Sequence, residues 1–596
     1  MTSSSPSDLH SAWARWLLSA LADSGLRDVI ISPGSRSTPL ALAAAECPRV
    51  RCLPVVDERV AAFVALGQAR ITGLPSTLLC TSGTAGAHYL PALIEASQAY
   101  IPVLGVTADR PWEAYDCASP QTIDQTDLFG RAVRHRAELG LPDASPEALA
   151  AVGRIAAQCL SLARSPTPGP VHLNARFRKP LEPVEVAAPE PWSSGLSRRV
   201  TLGAPRTFTQ ECIPSSDGVA ALTDALAHAR RPLFVCGPTL TWGSASREAL
   251  FALAAAVGAP VVAESSSGYR HVESTGAAVA CPGLELAARG ASWRDRHRPD
   301  LVVSWSLPPT SPSLTAWITY PTVERWVVAP HGWPDPSGDA RALLWGDPES
   351  VAHAALLALG ARAVSAEPSW SRSLKEADAA AWSAVRAETF GEALDELTVA
   401  QSLVDALPSG ACLVAGNSMP VRDLEMASPW RSLRVLHQRG GSGIDGLVAG
   451  ALGARTKLGA AEPVAVLLGD VSAAHDLGGL SAAQDFEGAL VVVLVQNGGG
   501  RIFAELPLGR TAPPGSERAQ AFGRFFLTPQ GIRWAEASGA FGHRYARVET
   551  PSALSAALDE ALATDGVTVI EAVVGPEDAG ARRQRVRARV ERGLAP

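Results

Sequence analysis

The clearest signal of the fold lies in Pro463–Gly500, whose sequence is PVAVLLGDVSAAHDLGGLSAAQDFEGALVVVLVQNGGG. Two apolar runs within it, Pro463–Leu468 and Ala489–Gln496, are typical of buried parallel strands. A helix-length segment, Ala474–Phe486, connects the two runs. The stretch therefore predicts one βαβ unit of a parallel sheet.

Polar residues directly follow both strands: Gly469-Asp470-Val471-Ser472 after the first and Asn497-Gly498-Gly499-Gly500 after the second. Open α/β sheets bind ligands at the carboxyl ends of their strands. A carboxylate, an amide oxygen and a backbone carbonyl form a hard oxygen set for Mg²⁺, which keeps few protein ligands when it also holds phosphates. The pattern predicts a diphosphate cofactor. The same residues would also occur if the Asp only capped a helix and the Asn-Gly pair only formed a turn, so this alternative without a ligand stays open.

The composition narrows the class of protein. The 596 residues are 47% hydrophobic and 19% charged, which is ordinary for a globular protein of three or four domains. A net charge of −7 gives no reason to expect nucleic acid or an anionic membrane as a partner. The nine cysteines form no CxxC pair and no apolar run spans a membrane, so we expect a cytoplasmic protein with reduced thiols.

Alternating strand and helix patterns predict an α/β fold of three parallel-sheet domains. The strands predicted from apolar runs are Val29–Ile31, Leu53–Val56, Thr77–Cys80, Val103–Val106, Val171–Leu173, Pro232–Cys236, Val261–Val262, Leu301–Ser304, Arg325–Val328, Ala411–Ala415, Leu433–Leu436 and Val567–Val573, besides the two above. We expect domains at 1–182, 216–360 and 398–580. Residues 183–215 form a linker, 361–397 a linker and helix, and 581–596 an Arg-rich tail that we interpret as a solvated helix.

Two strand ends in the first block carry further polar groups. Ile31–Leu40 (ISPGSRSTPL) joins a strand to a helix, with Ser37 or Thr38 as N-cap, and leaves Ser35 and Arg36 available to an anion. Glu58 follows the next strand, at the start of an amphipathic helix that Gly73 closes. The plainer alternative for Ile31–Leu40 is a capped turn with a surface Arg. The plainer alternative for Glu58 is a favourable charge in the first turn of its helix.

Taken together, the motifs resemble those of the MenD family, the thiamine diphosphate (ThDP)-dependent synthases of 2-succinyl-5-enolpyruvyl-6-hydroxy-3-cyclohexene-1-carboxylate (SEPHCHC) in menaquinone biosynthesis. The resemblance covers about the first 180 and the last 200 residues. The motifs that carry it are ISPGSRSTPL, DERVAAFVALGQAR (57–70), TSGTA (81–85), PALIEAS (91–97), TADRP (107–111), GNSMPVR (416–422), QRGGSGIDG (438–446), GDVSAAHDLGGL (469–480) and GGGRIF (498–503).

The resemblance implies pyrimidine-binding, central and diphosphate-binding domains and a role for each matching residue. Glu58 is the catalytic acid at the cofactor's aminopyrimidine, and Asp470, Asn497 and the Gly499 backbone bind Mg²⁺ or Mn²⁺. The cofactor contacts would also include Ser418, Ile444, Gly469, Val471, Ser472, Gly500, Ile502 and Phe503. The substrates, 2-oxoglutarate and isochorismate, would contact Ser35, Arg36, Arg110, Gln121, Ser418, Arg422, Arg439 and Leu506. A homodimer, or a dimer of dimers, is implied because the family places Glu58 and the diphosphate site on different subunits.

Two departures from the family pattern concern the second substrate. Thr310 and Ser311 stand where the family has a Lys-Arg pair, and Pro120 replaces an Asn. Another ThDP-dependent 2-oxoacid decarboxylase or carboligase would share Glu58, Asp470 and Asn497, and it is the alternative. A catalytically silent homologue is a further possibility if the missing pair is indispensable. A Rossmann oxidoreductase is disfavoured because no G-x-G-x-x-G follows the first strand.

Overall fold

The computed structural model describes residues 8–184, 191–239, 244–270, 280–389, 394–427, 431–483, 486–575 and 578–595. They contain three sheets whose strands are all parallel. The fold class predicted from the sequence is confirmed. The chain divides into two compact units: unit 1 comprises residues 1–210, 439–457 and 478–484, and unit 2 comprises the remainder.

The first sheet lies in unit 1 and has the strand order β2-β1-β3-β4-β6-β5. Its strands are β1 (Asp28–Ile31), β2 (Arg51–Pro54), β3 (Ser76–Cys80), β4 (Val103–Asp109), β5 (His135–Leu139) and β6 (Pro170–Arg176). Six helices accompany them: α1 (Leu9–Asp23), α2 (Thr38–Glu46), α3 (Glu58–Thr72), α4 (Leu90–Gln98), α5 (Pro146–Arg164) and α6 (Ser193–Leu202). Trp13, Trp16, Leu17 and Leu21 form the buried face of α1, so the N-terminal segment packs into this core.

The second sheet has the order β11-β10-β9-β7-β8. Its strands are β7 (Pro232–Cys236), β8 (Val261–Ala263), β9 (Leu301–Trp305), β10 (Glu324–Ala329) and β11 (Ala342–Trp345). The helices of this region are α7 (Ser216–His228), α8 (Ser244–Ala256), α9 (Leu284–Ala287), α10 (Ala291–Arg296), α11 (Pro312–Ile318), α12 (Pro348–Leu359) and α13 (Pro368–Thr389).

The third sheet, β13-β12-β14-β15-β17-β16, repeats the strand order of the first. Its strands are β12 (Cys412–Ala415), β13 (Arg434–His437), β14 (Val464–Gly469), β15 (Ala489–Gln496), β16 (Arg544–Val548) and β17 (Gly566–Val573). The remaining helices are α14 (Glu396–Ala406), α15 (Pro420–Leu424), α16 (Leu447–Arg455), α17 (Asp470–His475), α18 (Leu477–Ala482), α19 (Pro507–Thr511), α20 (Glu517–Phe522), α21 (Trp534–Ala540), α22 (Pro551–Leu562) and α23 (Asp578–Gly593).

Two expectations about helices are wrong. The connection between β14 and β15 begins its helix at Asp470, directly after the strand, and is broken into α17 and α18 rather than running from Ala474 to Phe486. The Arg-rich tail forms the helix α23, but Arg582, Arg583, Val586 and Val590 are buried on it. Carboxylates on neighbouring helices pair with the two arginines, which makes their burial possible.

Within unit 1, α3 and α16 pack closely because both carry glycine at the crossing. A Cβ on Gly67 would lie 2.0 Å from the carbonyl oxygen of Gly450, and a Cβ on Gly453 would lie 2.1 Å from that of Val64. No larger residue fits there without moving a helix. Glu58 begins α3, so this contact fixes the helix that carries a predicted catalytic residue. Among the described residues, no helix is both long and apolar enough to cross a membrane.

Candidate functional site

Asp470 and Asn497 follow neighbouring strand ends in unit 2. β14 and β15 pair in parallel with Gly469 opposite Val495, so both polar residues emerge at the same edge of the sheet. The Asp470 carboxylate is 1% exposed and accepts hydrogen bonds from the backbone N–H of Val471 at 2.8 Å and of Gly499 at 2.7 Å. Burial raises the pKa of Asp470, against the opposing effect of these bonds. The carboxylate is therefore held in one orientation.

Only one end of the Asn497 side-chain amide has a hydrogen-bond partner. Its Nδ2 donates to the buried carboxylate of Glu396, while its Oδ1 is buried and has no hydrogen-bond partner. An unpaired buried oxygen is costly unless a ligand completes it. The carbonyl of Gly499 accepts from the N–H of Arg501 at 2.8 Å and keeps a second lone pair. The three predicted metal ligands thus offer the oxygen donors that Mg²⁺ or Mn²⁺ requires.

The glycine turn after Asn497 has a geometry that side chains do not tolerate. Gly498 and Gly499 have φ angles of 77° and 114°. A Cβ on Gly499 would lie 2.0 Å from the carbonyl oxygen of Leu527. The N–H of Gly500 donates to the same oxygen at 2.7 Å. The turn is consequently held by contacts with the segment that contains Leu527.

The other predicted cofactor residues of unit 2 surround these strand ends. Gly469 ends β14 with open space where a Cβ would stand, and Val471 and Ser472 form the first turn of α17. Ile502 and Phe503 lie half-buried on a short 3-10 helix, where the Phe503 ring meets that of Phe526 at 5.6 Å between centroids. Leu506, predicted to contact substrate, is exposed.

Ser418 follows β12, the strand beside β14, at the point where the strand order of the sheet reverses. Its φ of 72° places it in the left-handed region, which is uncommon for a residue with a side chain. Its carbonyl accepts a 2.5 Å hydrogen bond from the guanidinium of Arg422, one turn later. The strained serine and the arginine are two of the predicted substrate residues.

A cavity of about 470 Å³ adjoins this region of unit 2. Its lining includes the predicted residues Arg422 and Ile502, and also Arg289 of the central region and Arg587 of α23. The Arg587 Nε is buried without a hydrogen-bond partner, and burial together with the nearby charge of Arg289 lowers the pKa of Arg587. The sequence interpretation missed both arginines because neither lies in a family motif and α23 was expected to be solvated.

The departure at Thr310 and Ser311 lies on the wall of the same cavity. Their backbone N–H groups donate to the carboxylate of Glu264 at 2.7 and 2.8 Å, and the Ser311 hydroxyl donates to Glu285 at 2.6 Å. Burial and the neighbouring Glu425 raise the pKa of Glu264 to about 8. The wall therefore presents carboxyl groups where the family pattern has cations.

Glu58 begins α3 in unit 1, directly after its N-cap Asp57, as the sequence predicts. The side chain is half-buried. Burial, with a smaller contribution from the charge of Glu58, raises the pKa of Cys80 to about 12, and the same effects raise the pKa of Tyr89. The carboxylate thus lies within electrostatic range of two buried side chains of low polarity.

Arg36 and Arg110 lie near each other in unit 1. Burial and the charge of Arg110 lower the pKa of Arg36, and the Nε atoms of both arginines are buried without partners. The backbone N–H of Arg36 donates to Thr81 at 3.2 Å, which ties the first strand end to the loop after β3. One terminal nitrogen of Arg36 donates to the Phe177 carbonyl at 2.6 Å, and the remaining donors of the two guanidinium groups are suited to a carboxylate.

Gln121 contacts the same loop after β3. Its Nε2 donates to the Ser82 carbonyl at 3.0 Å, and its φ of 56° is left-handed. Ser35 is exposed beside Arg36. The structure therefore places Arg36 near Arg110, and brings Arg36 and Gln121 to the same loop after β3 from distant parts of the sequence.

The motif that contains Arg439 and Ile444 forms a loop in unit 1, before α16. The N–H groups of Gly440 and Gly441 donate to the Glu95 carboxylate at 3.1 and 2.5 Å. Gly446 has a φ of 66°, and a Cβ there would lie 1.9 Å from the Phe63 ring. Arg439 and Ile444 are half-buried on this anchored loop.

Comparison with known proteins identifies the class of enzyme. The thiamine pyrophosphate enzyme N-terminal TPP binding domain matches residues 12–128, and the C-terminal TPP binding domain matches residues 429–572. A crystal structure of benzoylformate decarboxylase from Polynucleobacter necessarius superposes with a TM-score of 0.68 at 18% identity, covering 95% of this chain and 99% of that one. The fold and the two domains define a thiamine pyrophosphate enzyme.

The relatives by sequence identify the enzyme family more narrowly than the fold does. The 2-succinyl-5-enolpyruvyl-6-hydroxy-3-cyclohexene-1-carboxylate synthase of Sorangium cellulosum is 47% identical, with 99% of this chain and 97% of that protein covered. The synthase of the same name from Haloarcula marismortui is 36% identical, with 99% of each chain covered. The chain belongs to this family of SEPHCHC synthases, and is a ThDP-dependent enzyme of the transferase type.

Proposed function

We propose that this enzyme decarboxylates 2-oxoglutarate and adds the resulting four-carbon carbanion equivalent to isochorismate, giving SEPHCHC for menaquinone biosynthesis. The observation that carries the choice of substrates is the proximity of two guanidinium groups, those of Arg36 and Arg110, whose charges act on each other. Both substrates are dicarboxylates, and paired guanidinium groups recognise carboxylates through parallel hydrogen bonds. Membership of the family supports the same assignment.

Each residue is assigned the role that the family resemblance implies, and the positions described above support the assignment. When bound, ThDP supplies the carbon nucleophile that attacks the 2-oxo group and accepts the electrons released with CO₂. Glu58 holds a proton at the cofactor's pyrimidine N1′. Asp470, Asn497 and the Gly499 carbonyl would hold Mg²⁺ or Mn²⁺, which would neutralise the charge of the diphosphate, and Gly469, Val471, Ser472 and Gly500 shape the turns next to these ligands. Ile444, Ile502 and Phe503 exclude water from the reacting atoms.

The remaining predicted residues bind substrate. Arg36, Arg110, Arg422 and Arg439 pair with carboxylates, Ser35, Gln121 and Ser418 donate further hydrogen bonds, and Leu506 closes the pocket. We place isochorismate in the cavity of unit 2, although Thr310 and Ser311 on its wall carry no charge. Arg587 supplies positive charge on its wall, from an element other than the one that carries the family's pair, and Arg289 lies there too, paired with Glu285 at 3.0 Å.

We also propose the assembly and the domain limits that the family resemblance implies. Glu58 and the diphosphate site belong to different subunits of a homodimer, which two such dimers could extend to a tetramer, and the enzyme works in the cytoplasm. The domain limits remain 1–182, 216–360 and 398–580, with α6 inside the 183–215 connection.

The proposed function is tested by measuring CO₂ release from 2-oxoglutarate with ThDP and Mg²⁺, with and without isochorismate. We expect slow release alone and faster release, coupled to isochorismate consumption, when both substrates are present. If 2-oxoglutarate turns over while isochorismate is never consumed, the chain is a ThDP-dependent decarboxylase or a carboligase for another acceptor.

A further inference from the structure

The Arg-rich helix α23 is docked onto the beginning of α14. The Arg582 guanidinium donates to Asp395, the N-cap of α14, and to the Thr398 hydroxyl at 2.8 Å. The next residue, Arg583, donates to Glu396 and, at 2.7 and 2.8 Å, to Asp423. Both arginines are buried, so these bonds are shielded from solvent.

Glu396 connects this cluster to the predicted metal site. The carboxylate is 3% exposed, and one oxygen accepts from Arg583 while the other accepts from the Nδ2 of Asn497. A carboxylate oxygen accepts from the N–H end of an amide, whereas the oxygen end of the amide has no proton to donate. The bond therefore decides which end of the Asn497 amide faces Glu396, and leaves Oδ1 as the free end.

The charges around Arg583 explain why Glu396 depends on it. Glu396 and Asp423 flank the guanidinium, and burial raises the pKa of Asp423 to about 6 although Arg583 opposes this. Their two negative charges raise the pKa of Arg583 despite its burial. Without this cation two buried carboxylates would lack their counter-charge, and Glu396 would lose the hydrogen bond that fixes its second oxygen. The Glu396 side chain would then no longer be held in the position from which it accepts from the Asn497 amide.

We propose that Arg583 and Glu396 are positioning residues that hold the Oδ1 of Asn497 toward the divalent metal. The C-terminal helix is in this way part of the cofactor site without touching the cofactor. The inference rests on the metal-binding role proposed for Asp470 and Asn497. Residues that orient metal ligands in this manner typically change metal affinity 10–100-fold when they are replaced.

The test measures metal binding directly. Apoenzyme is titrated with Mn²⁺ at fixed ThDP, and free Mn²⁺ is followed by electron paramagnetic resonance, with the Mg²⁺ dependence of the melting temperature as a second readout. We expect Glu396→Gln and Arg583→Met to raise the half-saturating metal concentration about 10–100-fold. Arg585→Gln is the matched control, since Arg585 lies on the same helix but is exposed and pairs with Glu388 at 3.4 Å. Asp470→Ala serves as the variant that removes a ligand.

The outcomes separate the inference from the proposed function. If Asp470→Ala abolishes metal binding while folded Glu396→Gln binds Mn²⁺ like the wild type, the positioning role is wrong and the metal site stands. If Asp470→Ala also binds normally, the metal site itself is misplaced. Glu396→Gln nearly preserves size and shape, so it decides the matter if Arg583→Met fails to fold.

Discussion

At the scale of single residues, the site depends on atoms that the chain leaves unpaired. The Oδ1 of Asn497 and the Nε atoms of Arg36, Arg110 and Arg587 are all buried without hydrogen-bond partners. A folded protein seldom retains such atoms unless a ligand, ion or water completes them. Other arginines, Arg70 among them, also bury an unpaired Nε. We therefore infer anionic ligands from the proximity of Arg36 to Arg110 and from the place of Arg587 at the cavity wall.

Replacing Glu58 by Gln should leave ThDP binding nearly unchanged but slow deuterium exchange at the thiazolium C2 of the bound cofactor. An amide lacks the carboxyl proton that favours the reactive form of the aminopyrimidine. The measurement is the C2 exchange rate by rapid quench and NMR, with Glu46→Gln on the exposed face of α2 as the control. Wild-type exchange in the Glu58 variant would reduce this residue to a helix-start charge.

Replacing Arg587 by Met should raise the KM for isochorismate with a smaller change in kcat. A lost charged hydrogen bond costs about 1.5–3 kcal/mol, which corresponds to roughly a 10–100-fold change in KM. Steady-state kinetics measure the effect, and Arg585→Gln is again the control on the same helix. An unchanged KM would mean that Arg587 faces the cavity without binding substrate.

At the scale of helices and strands, apolar runs predicted the interior of the fold, and polar edges were missed. β14 and β15 are central strands with continuous valine and leucine, and they appear where the sequence placed them. β5 and β16 were not predicted because these edge strands, HRAEL and RYARV, mix polar residues with apolar ones. The edge strand β11 was also missed, although its sequence ALLW is apolar. The burial of α23 could not be predicted, since it depends on ion pairs with residues about 160–190 positions away.

The residues of the candidate site likewise divide into those that local sequence motifs predicted and those that they missed. Short motifs identified Asp470, Asn497 and Glu58 because each follows a strand end, which is a local property. Arg289, Arg587 and Glu396 lie outside such motifs, and only the tertiary structure brings them to the site or to its supporting contacts. A single sequence carries no signal for contacts of this range.

The contact between α3 and α16 predicts that Gly67→Ala and Gly453→Ala destabilise the protein. In each case the new Cβ would lie about 2 Å from a backbone oxygen, which one helix must move to relieve. Such overpacking costs about 1–3 kcal/mol. Gly195→Ala in α6 is the control, since nothing lies within 4 Å of its Cβ position. Urea unfolding midpoints measure the effect, and equal midpoints for all three variants would contradict the close packing.

At the scale of the whole molecule, buried carboxyl groups link stability to pH. The pKa of Glu264 is raised to about 8 in the folded state, so the folded chain holds this proton more tightly than the unfolded chain does. The associated stability is fully present below the ordinary carboxyl pKa and is lost as pH rises through about 8.

Glu264→Gln should therefore gain stability relative to the wild type as pH rises from 6 to 9. The relative change is at most about 1.4 kcal/mol per pH unit, the value for one proton. Melting temperatures of both proteins across this range measure it, with the exposed Glu560→Gln as the control. Parallel curves for wild type and Glu264→Gln would show that Glu264 does not titrate there.

Isotope tracing shows whether one active site joins the two substrates. Uniformly ¹³C-labelled 2-oxoglutarate is incubated with unlabelled isochorismate, ThDP, Mg²⁺ and enzyme, and the products are analysed by mass spectrometry. We predict a product with the mass of SEPHCHC that carries every labelled carbon except the one lost as CO₂. Label confined to succinic semialdehyde, with isochorismate intact, would contradict the synthase assignment.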